Sequence, residues 1–207
     1  MQSLIYLIRH GEIDTSSPRR FLGQTDLPLN ETGIRQAQAL HERLQHIKFS
    51  HVFTSPLQRA VQTAALVSDK GPAAINWIEA FKEINLGAWE GMTVAEVCSR
   101  FPGAYEQRGQ DLEHFRPQGG ESFGDLATRC YSALLTLTQQ FHGPLLVVAH
   151  AGVNRVLLSR LLNQPIQQLL EIPQNYCGVN ILTFNAQRLK VEAINLEGVD
   201  STLSHRH

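Results

Sequence analysis

Three short apolar runs punctuate the chain, and each ends on a basic or imidazole side chain. Leu4-Ile5-Tyr6-Leu7-Ile8 stops at Arg9-His10-Gly11-Glu12. Val52-Phe53-Thr54 leads into Ser55-Pro56-Leu57-Gln58-Arg59, and Leu145-Leu146-Val147-Val148-Ala149 leads into His150-Ala151-Gly152. Runs this short, with no polar alternation, predict strands buried on both faces, as in a parallel sheet. Ligands of such sheets bind beyond the carboxyl ends of the strands. With the three strands side by side, Arg9, His10, Arg59 and His150 converge at one edge.

Between the strands the period lengthens. Ile34, Ala37, Leu40, Leu44 and Ile47 form an amphipathic helical stripe, and Asn30 stands where a cap belongs. Ser55-Pro56 reads as an N-cap with proline in the first helical position; Leu57, Ala60, Val61 and Ala64 then face the core, with Arg59 in the opening turn. Residues 75–78 predict another strand, and Thr93 with Glu96 a capping box for a short helix to Phe101. A turn at 119–122 opens a long helix whose buried stripe is Leu126, Cys130, Ala133, Leu134 and Leu137. Residues 153–162 and 165–171 read as helices, and 179–184 with 189–195 as a hairpin joined near 185–187. The loop 13–29 is long and polar, and loops of that length are usually functional. Residues 81–91 show no clean period. Residues 102–118 are polar and broken by Pro and Gly, part of a flap over residues 92–120. The βαβα order predicts fold class α/β: a three-layer αβα domain over residues 1–207, with a mostly parallel central sheet flanked by helices. Residues 200–207 read as a flexible tail.

Composition narrows the functions. The 207 residues are 43% hydrophobic and 18% charged, ordinary for one globular domain. A formal net charge of −1 implies no basic face and argues against nucleic acid. The first apolar run is too short to span a bilayer, and no signal-peptide layout follows it, so a cytoplasmic chain without a membrane partner is expected. Cys98, Cys130 and Cys177 form no C-x-x-C and predict buried free thiols. His41, His46 and His51 read as surface residues, and His205 and His207 as part of a frayed end. The residues leave a homodimer open.

Two arginines and two histidines around one point suit a compact anion, and phosphate fits a guanidinium fork best. A neutral imidazole can attack phosphorus if its other ring nitrogen keeps its proton. The second histidine, when cationic, steadies the equatorial oxygens. Glu83 or Glu90 can supply the leaving group's proton, and the residues alone do not choose between them. A metal at His10 and His150 is disfavoured by the adjacent arginines; neither metal nor cofactor is expected. Trp89 reads as a packing residue.

Arg9-His10-Gly11-Glu12 after an apolar strand resembles the signature of the histidine phosphatase superfamily, which includes the cofactor-dependent phosphoglycerate mutases. The resemblance continues in order through residues 23–29 with Thr32-Gly33, residues 55–60 with Gln62-Thr63-Ala64, Glu83 with Gly87, Trp89, Glu90 and Gly91, then Gly120-Glu121-Ser122 and His150-Ala151-Gly152. It covers residues 4–196 and implies a phosphoglycerate mutase-like fold. It implies His10 as the phosphorylated nucleophile, Arg9, Arg59 and His150 as holders of the phosphoryl group, and Glu83 as proton donor and acceptor. Glu90 would then be structural. Gln24, Thr25 and Ala151 join the phosphate- and substrate-binding set. Ser16 stands where many relatives carry Asn, which puts close kinship with the mutases in doubt. The short 91–119 segment suggests a site open to water, hence a phosphatase acting on a small phosphomonoester. The size and loops look most like the α-ribazole phosphatase group of cobalamin synthesis, with Arg19, Arg20 and the flap reading the leaving group. A mutase-type transfer and a catalytically silent phosphate sensor stand as alternatives.

Overall fold

The structure, a computed structural model, describes residues 3–15, 17–185 and 188–197. Its strands are β1 (Ser3–Arg9), β2 (His51–Thr54), β3 (Ile75–Trp77), β4 (Pro144–Ala149), β5 (Val179–Asn185) and β6 (Arg188–Leu196). Its α-helices are α1 (Glu31–Leu44), α2 (Gln58–Ser68), α3 (Val94–Arg100), α4 (Ala104–Gln110), α5 (Phe123–Gln140) and α6 (Ala151–Leu161). The strands form one sheet in the order β3-β2-β4-β1-β5-β6. The first four are mutually parallel, and the β5–β6 hairpin runs antiparallel beyond β1. The three apolar runs are therefore neighbours, with β4 in the middle.

The lack of polar alternation has a direct cause. Ile5, Leu7, Leu145 and Val147 pack into a core beneath α5 and α6, while Tyr6, Ile8, Leu146 and Val148 pack into a second core beneath α1 and α2. Both faces are dry, so residues 4–8 of β1 and 145–149 of β4 are all apolar. The three layers and the mostly parallel sheet are as the βαβα order implies.

Helix ends follow local chemistry. The Asn30 side chain accepts the Gly33 N–H at 2.8 Å, and Thr93 with Glu96 closes the expected capping box. Ser122 and Asp125 form a second box at the head of α5.

Several expectations are corrected. α2 starts at Gln58 after Leu57, not at Pro56; the Ser55 hydroxyl accepts the Leu57 N–H at 3.3 Å and also lies 2.8 Å from His150 Nε2. Ile34 is 38% exposed and Ile47 lies beyond the end of α1, so Gly33 joins Ala37, Leu40 and Leu44 on the buried face. Val61 and Ala133 are only partly buried. Within residues 102–118, read as polar and broken, lies α4, and Leu112, 4% exposed, sits in the main core with Phe115 packed against it. Cys130 and Cys177 are buried, with burial pushing each thiol up to about 12, but Cys98 is only partly covered. His46 is exposed, whereas the His41 ring meets the Val67 carbonyl at 3.0 Å and His51 lies against Phe141. Ser16, residues 186–187 of the hairpin turn and the tail from 198 lie outside the described residues. Among the described residues no helix is long and apolar enough to cross a membrane.

The packed flap carries a test. Leu112→Ala should cost about 2–4 kcal/mol, the range for a buried leucine that leaves a cavity. Urea unfolding measures it, and a loss below ~0.5 kcal/mol would place residue 112 outside the cooperative core.

Candidate active site

Backbone pairing carries on past the strand ends and sets the site. The His10 N–H donates to the Ala149 carbonyl at 3.0 Å, and the Ser55 N–H donates to Val148 at 3.1 Å. His10 and Ser55 are thereby fixed on either side of the end of β4, where His150 follows directly. Gly11 is required by close approach: a Cβ there would lie 2.6 Å from the Gly33 carbonyl oxygen. Its N–H donates to Thr63 Oγ1 at 3.0 Å, and the Thr63 hydroxyl donates to the Arg59 carbonyl at 2.7 Å. The chain after His10 is thus tied to the first turns of α2.

His10 is 5% exposed, and its Nδ1 lies 2.7 Å from the Gly11 carbonyl. A carbonyl only accepts, so Nδ1 carries the proton and Nε2 keeps its lone pair. Burial, then the charges of Arg59 and Arg9, hold this imidazole well below its ordinary pKa of 6.5. His150 is fully buried, and its Nε2 sits 2.8 Å from Ser55 Oγ. Burial, Arg59 and His10 depress it in the same way, so the free protein holds two neutral imidazoles with ring centroids 5.1 Å apart.

The two arginines are oriented by carbonyl oxygens. Arg59, 2% exposed, donates from Nη1 to Thr25 at 2.7 Å and from Nη2 to Gly23 at 2.9 Å. Arg9 donates from Nη1 to the Gln174 carbonyl at 2.6 Å and stacks 3.8 Å over the Tyr176 ring. Both Nε groups are buried without a partner among the described residues, as is His150 Nδ1.

Glu83 faces this group from the amino end of α6. Its Oε2 accepts the Gly152 N–H at 3.0 Å and its Oε1 accepts the Ile84 N–H at 2.9 Å. A Cβ at residue 152 would collide with that carboxylate, so Gly152 makes the space that Glu83 fills. Glu90 lies elsewhere. It accepts from the Gln24 and Leu86 N–H groups and from Thr25 Oγ1 at 2.9, 3.2 and 3.0 Å, clamping the 23–25 loop that orients Arg59.

The structure thus gathers Arg9, His10, Arg59, Glu83 and Ala151 on one cavity of about 750 Å3, with His150 directly behind. Gln24 and Thr25 do not line it: the Gln24 amide donates to the Glu83 carbonyl, and Thr25 is held by Glu90. Arg19 and Arg20 reach the rim, but Arg20 is paired with Glu96 at 3.0 Å. Trp89 is 1% exposed and packs in the core.

Sequence reasoning missed Arg129 of α5. It donates to the Ala80, Lys82 and Glu83 carbonyls at 2.7, 2.9 and 3.1 Å and forks onto Glu121 at 2.7 and 2.9 Å. Burial opposes the Glu121 charge, but the Arg129 fork and the Asn85 N–H outweigh it and hold the carboxyl below its usual range. This pair fixes the segment bearing Glu83. Glu121 carried a signal, since Gly120-Glu121-Ser122 stood out as a motif; Arg129 carried none. Tyr176 and Gln174, which seat Arg9, also escaped notice.

Fold and site together define a class: an α/β domain with a histidine pair set among arginines at the carboxyl edge of its sheet. Residues 5–197 match the histidine phosphatase superfamily (branch 1), and the chain belongs to that family. It is 31% identical over 201 residues to the adenosylcobalamin/alpha-ribazole phosphatase of Escherichia coli (strain K12), covering 91% of this chain and 98% of the relative. It is 35% identical over 160 residues to phosphoglycerate mutase-like protein 4 of Arabidopsis thaliana, covering 75% of this chain and 70% of that one. Among solved structures, the alpha-ribazole phosphatase from Shigella flexneri superposes with a TM-score of 0.85 at 27% identity, covering 95% of this chain and 98% of the other.

The depressed imidazoles make a measurable expectation. In ring-proton NMR of the phosphate-free protein, neither His10 nor His150 should take up a proton near pH 6.5, the ordinary value, and both should titrate well below it. An unfolded histidine binds its proton near pH 6.5. The unfolded chain therefore holds more protons as pH falls, and these two residues lower stability below that pH. Titration of both rings at the ordinary value would contradict the burial described here.

Proposed function

We propose that the chain is a phosphomonoester hydrolase working through a phosphohistidine at His10. One observation carries the reading: the Nδ1–H to Gly11 bond leaves Nε2 of a neutral imidazole as the free lone pair on a cavity flanked by Arg9 and Arg59. Nε2 attacks phosphorus, and the bond to the leaving oxygen breaks. Arg9 and Arg59 hold the non-bridging oxygens through donors that carbonyls have aimed but not neutralised. A bound phosphoryl dianion raises the proton affinity of His150 and favours its cationic form. Glu83 gives a proton to the leaving oxygen, then takes one from the water that attacks the phosphohistidine and releases inorganic phosphate. Arginine charge and the α6 amide groups serve where other phosphatases use a metal, so we read the reaction as metal-independent.

Hydrolysis is favoured over mutase-type transfer by the near-complete length shared with an alpha-ribazole phosphatase, against 70% of the mutase-like relative. The same relative supports α-ribazole 5′-phosphate, in cobalamin biosynthesis, as a candidate substrate. The cytoplasmic setting rests on free, unpaired cysteines, which suit a reducing compartment.

His10→Ala should abolish phosphate release from p-nitrophenyl phosphate and the acid-labile label that radioactive substrate leaves on the wild-type chain. Glu83→Gln should lower kcat/KM, which reports formation of the phosphohistidine, by ~10²–10⁴-fold for alkyl phosphates but far less for p-nitrophenyl phosphate, since p-nitrophenolate leaves without a proton. Equal losses on both esters would remove Glu83 from the proton transfer. Phosphate moving between positions of one substrate, without net release, would replace the hydrolase by a mutase.

A further inference from the structure

Ser55 directly follows β2, is fully buried, and has no part in the chemistry above. Its backbone is fixed by the N–H bond to the Val148 carbonyl. Among the described residues its hydroxyl has two neighbours. It accepts the Leu57 N–H at 3.3 Å, and it lies 2.8 Å from His150 Nε2. His150 Nδ1, the other polar atom of that ring, is buried with no partner among the described residues.

A hydroxyl has one proton and two lone pairs, and Leu57 takes one of the lone pairs. Two arrangements remain for a neutral His150. In the first, Nε2 carries the ring proton and donates to Ser55 Oγ. The serine proton then has no acceptor, and Nδ1 is a bare lone pair with no donor. In the second, Nδ1 carries the proton and the Ser55 hydroxyl donates to Nε2. Only the Nδ1–H is then left unpaired. Buried polar groups without partners are costly, so the second arrangement wins. It also suits the surroundings of the ring, which sits 5.1 Å from His10 and feels the charges of Arg59 and Arg9. An N–H there binds an oxygen of an anion, whereas a lone pair repels it.

We propose that Ser55 is a positioning residue that fixes the tautomer of His150, so that the imidazole offers its Nδ1–H to an oxygen of the phosphoryl group. The proposal rests on the His10 edge being the phosphoryl site. A hydroxyl suits the task because it turns. It donates to Nε2 of the neutral ring and accepts from Nε2–H once the ring takes up a proton beside the bound dianion. Nδ1 keeps its hydrogen in both states. The two histidines then hold the same tautomer and present opposite sides of it. The Gly11 carbonyl engages Nδ1 of His10 and frees a lone pair, while Ser55 engages Nε2 of His150 and frees a proton.

Nitrogen-15 NMR of the phosphate-free protein near neutral pH reads the tautomer, with the His150 signals identified by their loss in His150→Ala. The wild-type chain should show a protonated Nδ1 and a bare Nε2. Ser55→Ala should move the ring toward the Nε2–H form and weaken calorimetric binding of inorganic phosphate by about tenfold, the worth of one charge-assisted hydrogen bond. In the His150→Ala background the same serine substitution should leave phosphate affinity unchanged, because Ser55 acts through the ring. A protonated Nε2 in the wild-type chain overturns the proposal by itself, and so decides the matter even if Ser55→Ala does not fold. An unchanged tautomer or unchanged affinity in Ser55→Ala also overturns it, as does an equal loss of affinity with and without His150. Any of these with ester hydrolysis intact leaves the hydrolase standing. The expected tautomer and affinities in a chain that hydrolyses no ester support the role of Ser55 and overturn the hydrolase.

Discussion

The site depends on how its positive charge is held. Arg59 is gripped by the Gly23 and Thr25 carbonyls and Arg9 by the Gln174 carbonyl and the Tyr176 ring, and among the described residues neither is paired with a carboxylate. A carbonyl dipole orients a guanidinium and meets its hydrogen-bonding needs, yet leaves its full charge in place. An ion pair would have spent that charge inside the protein. Every other feature of the edge follows from keeping two desolvated cations unneutralised a few ångströms from two imidazoles.

The first consequence is protonation. Next to Arg9 and Arg59, and out of water, His10 and His150 cannot also be cationic, and both are held neutral. Neutrality is what a nucleophilic nitrogen needs, so the same field that suits an anion also suits the role proposed for His10. The second consequence is mechanical. Mutually repelling groups stay together only if their backbones are over-determined, and here they are. The β4 ladder runs on into His10 and Ser55, Thr63 joins Gly11 to Arg59, and Arg129, held by Glu121, pins the carbonyls of Ala80, Lys82 and Glu83. Two dry cores, one on each face of the sheet, offset the electrostatic cost of the edge.

This division also explains what could be read from the chain. Strands β1, β2 and β4 announced themselves because burial on both faces leaves an unbroken apolar run, and the Asn30 and Thr93 caps because capping is a three-residue affair. Arg9, His10, Arg59, Glu83 and His150 were legible as polar groups standing directly after apolar runs or inside motifs. Their supports were not. Ser55 looks like a helix cap from its neighbours, and only the adjacency of β2 and β4 turns its hydroxyl toward His150. Arg129 sits in a helical stripe 46 residues from Glu83 along the chain, and nothing local says whose carbonyls it will meet. Gln24 and Thr25 misled for the opposite reason: near enough in sequence to suit a phosphate, they instead hold the loop that aims Arg59. Residues 102–118 read as a polar, broken flap segment because α4 is short and its stretch polar, while Leu112, with Ala104 and Phe115 beside it, joins the segment to the core.

The fold separates two tasks that a single loop could not perform together. Groups for the phosphoryl centre come from strand ends and helix starts, where the sheet ladder fixes each backbone position against its neighbour. Arg108, by contrast, belongs to a seven-residue helix that buries none of its residues fully, and Phe21 to a loop attached through backbone bonds to residues 91 and 92. A residue on such a segment can be exchanged without disturbing the ladder. Arg155 bridges the two regimes. It rises from α6, the helix whose first turn holds Glu83, and its remaining donors face the same cavity that α4 lines. Glu83 and the outer wall of the cavity are therefore joined through one helix rather than through the flap.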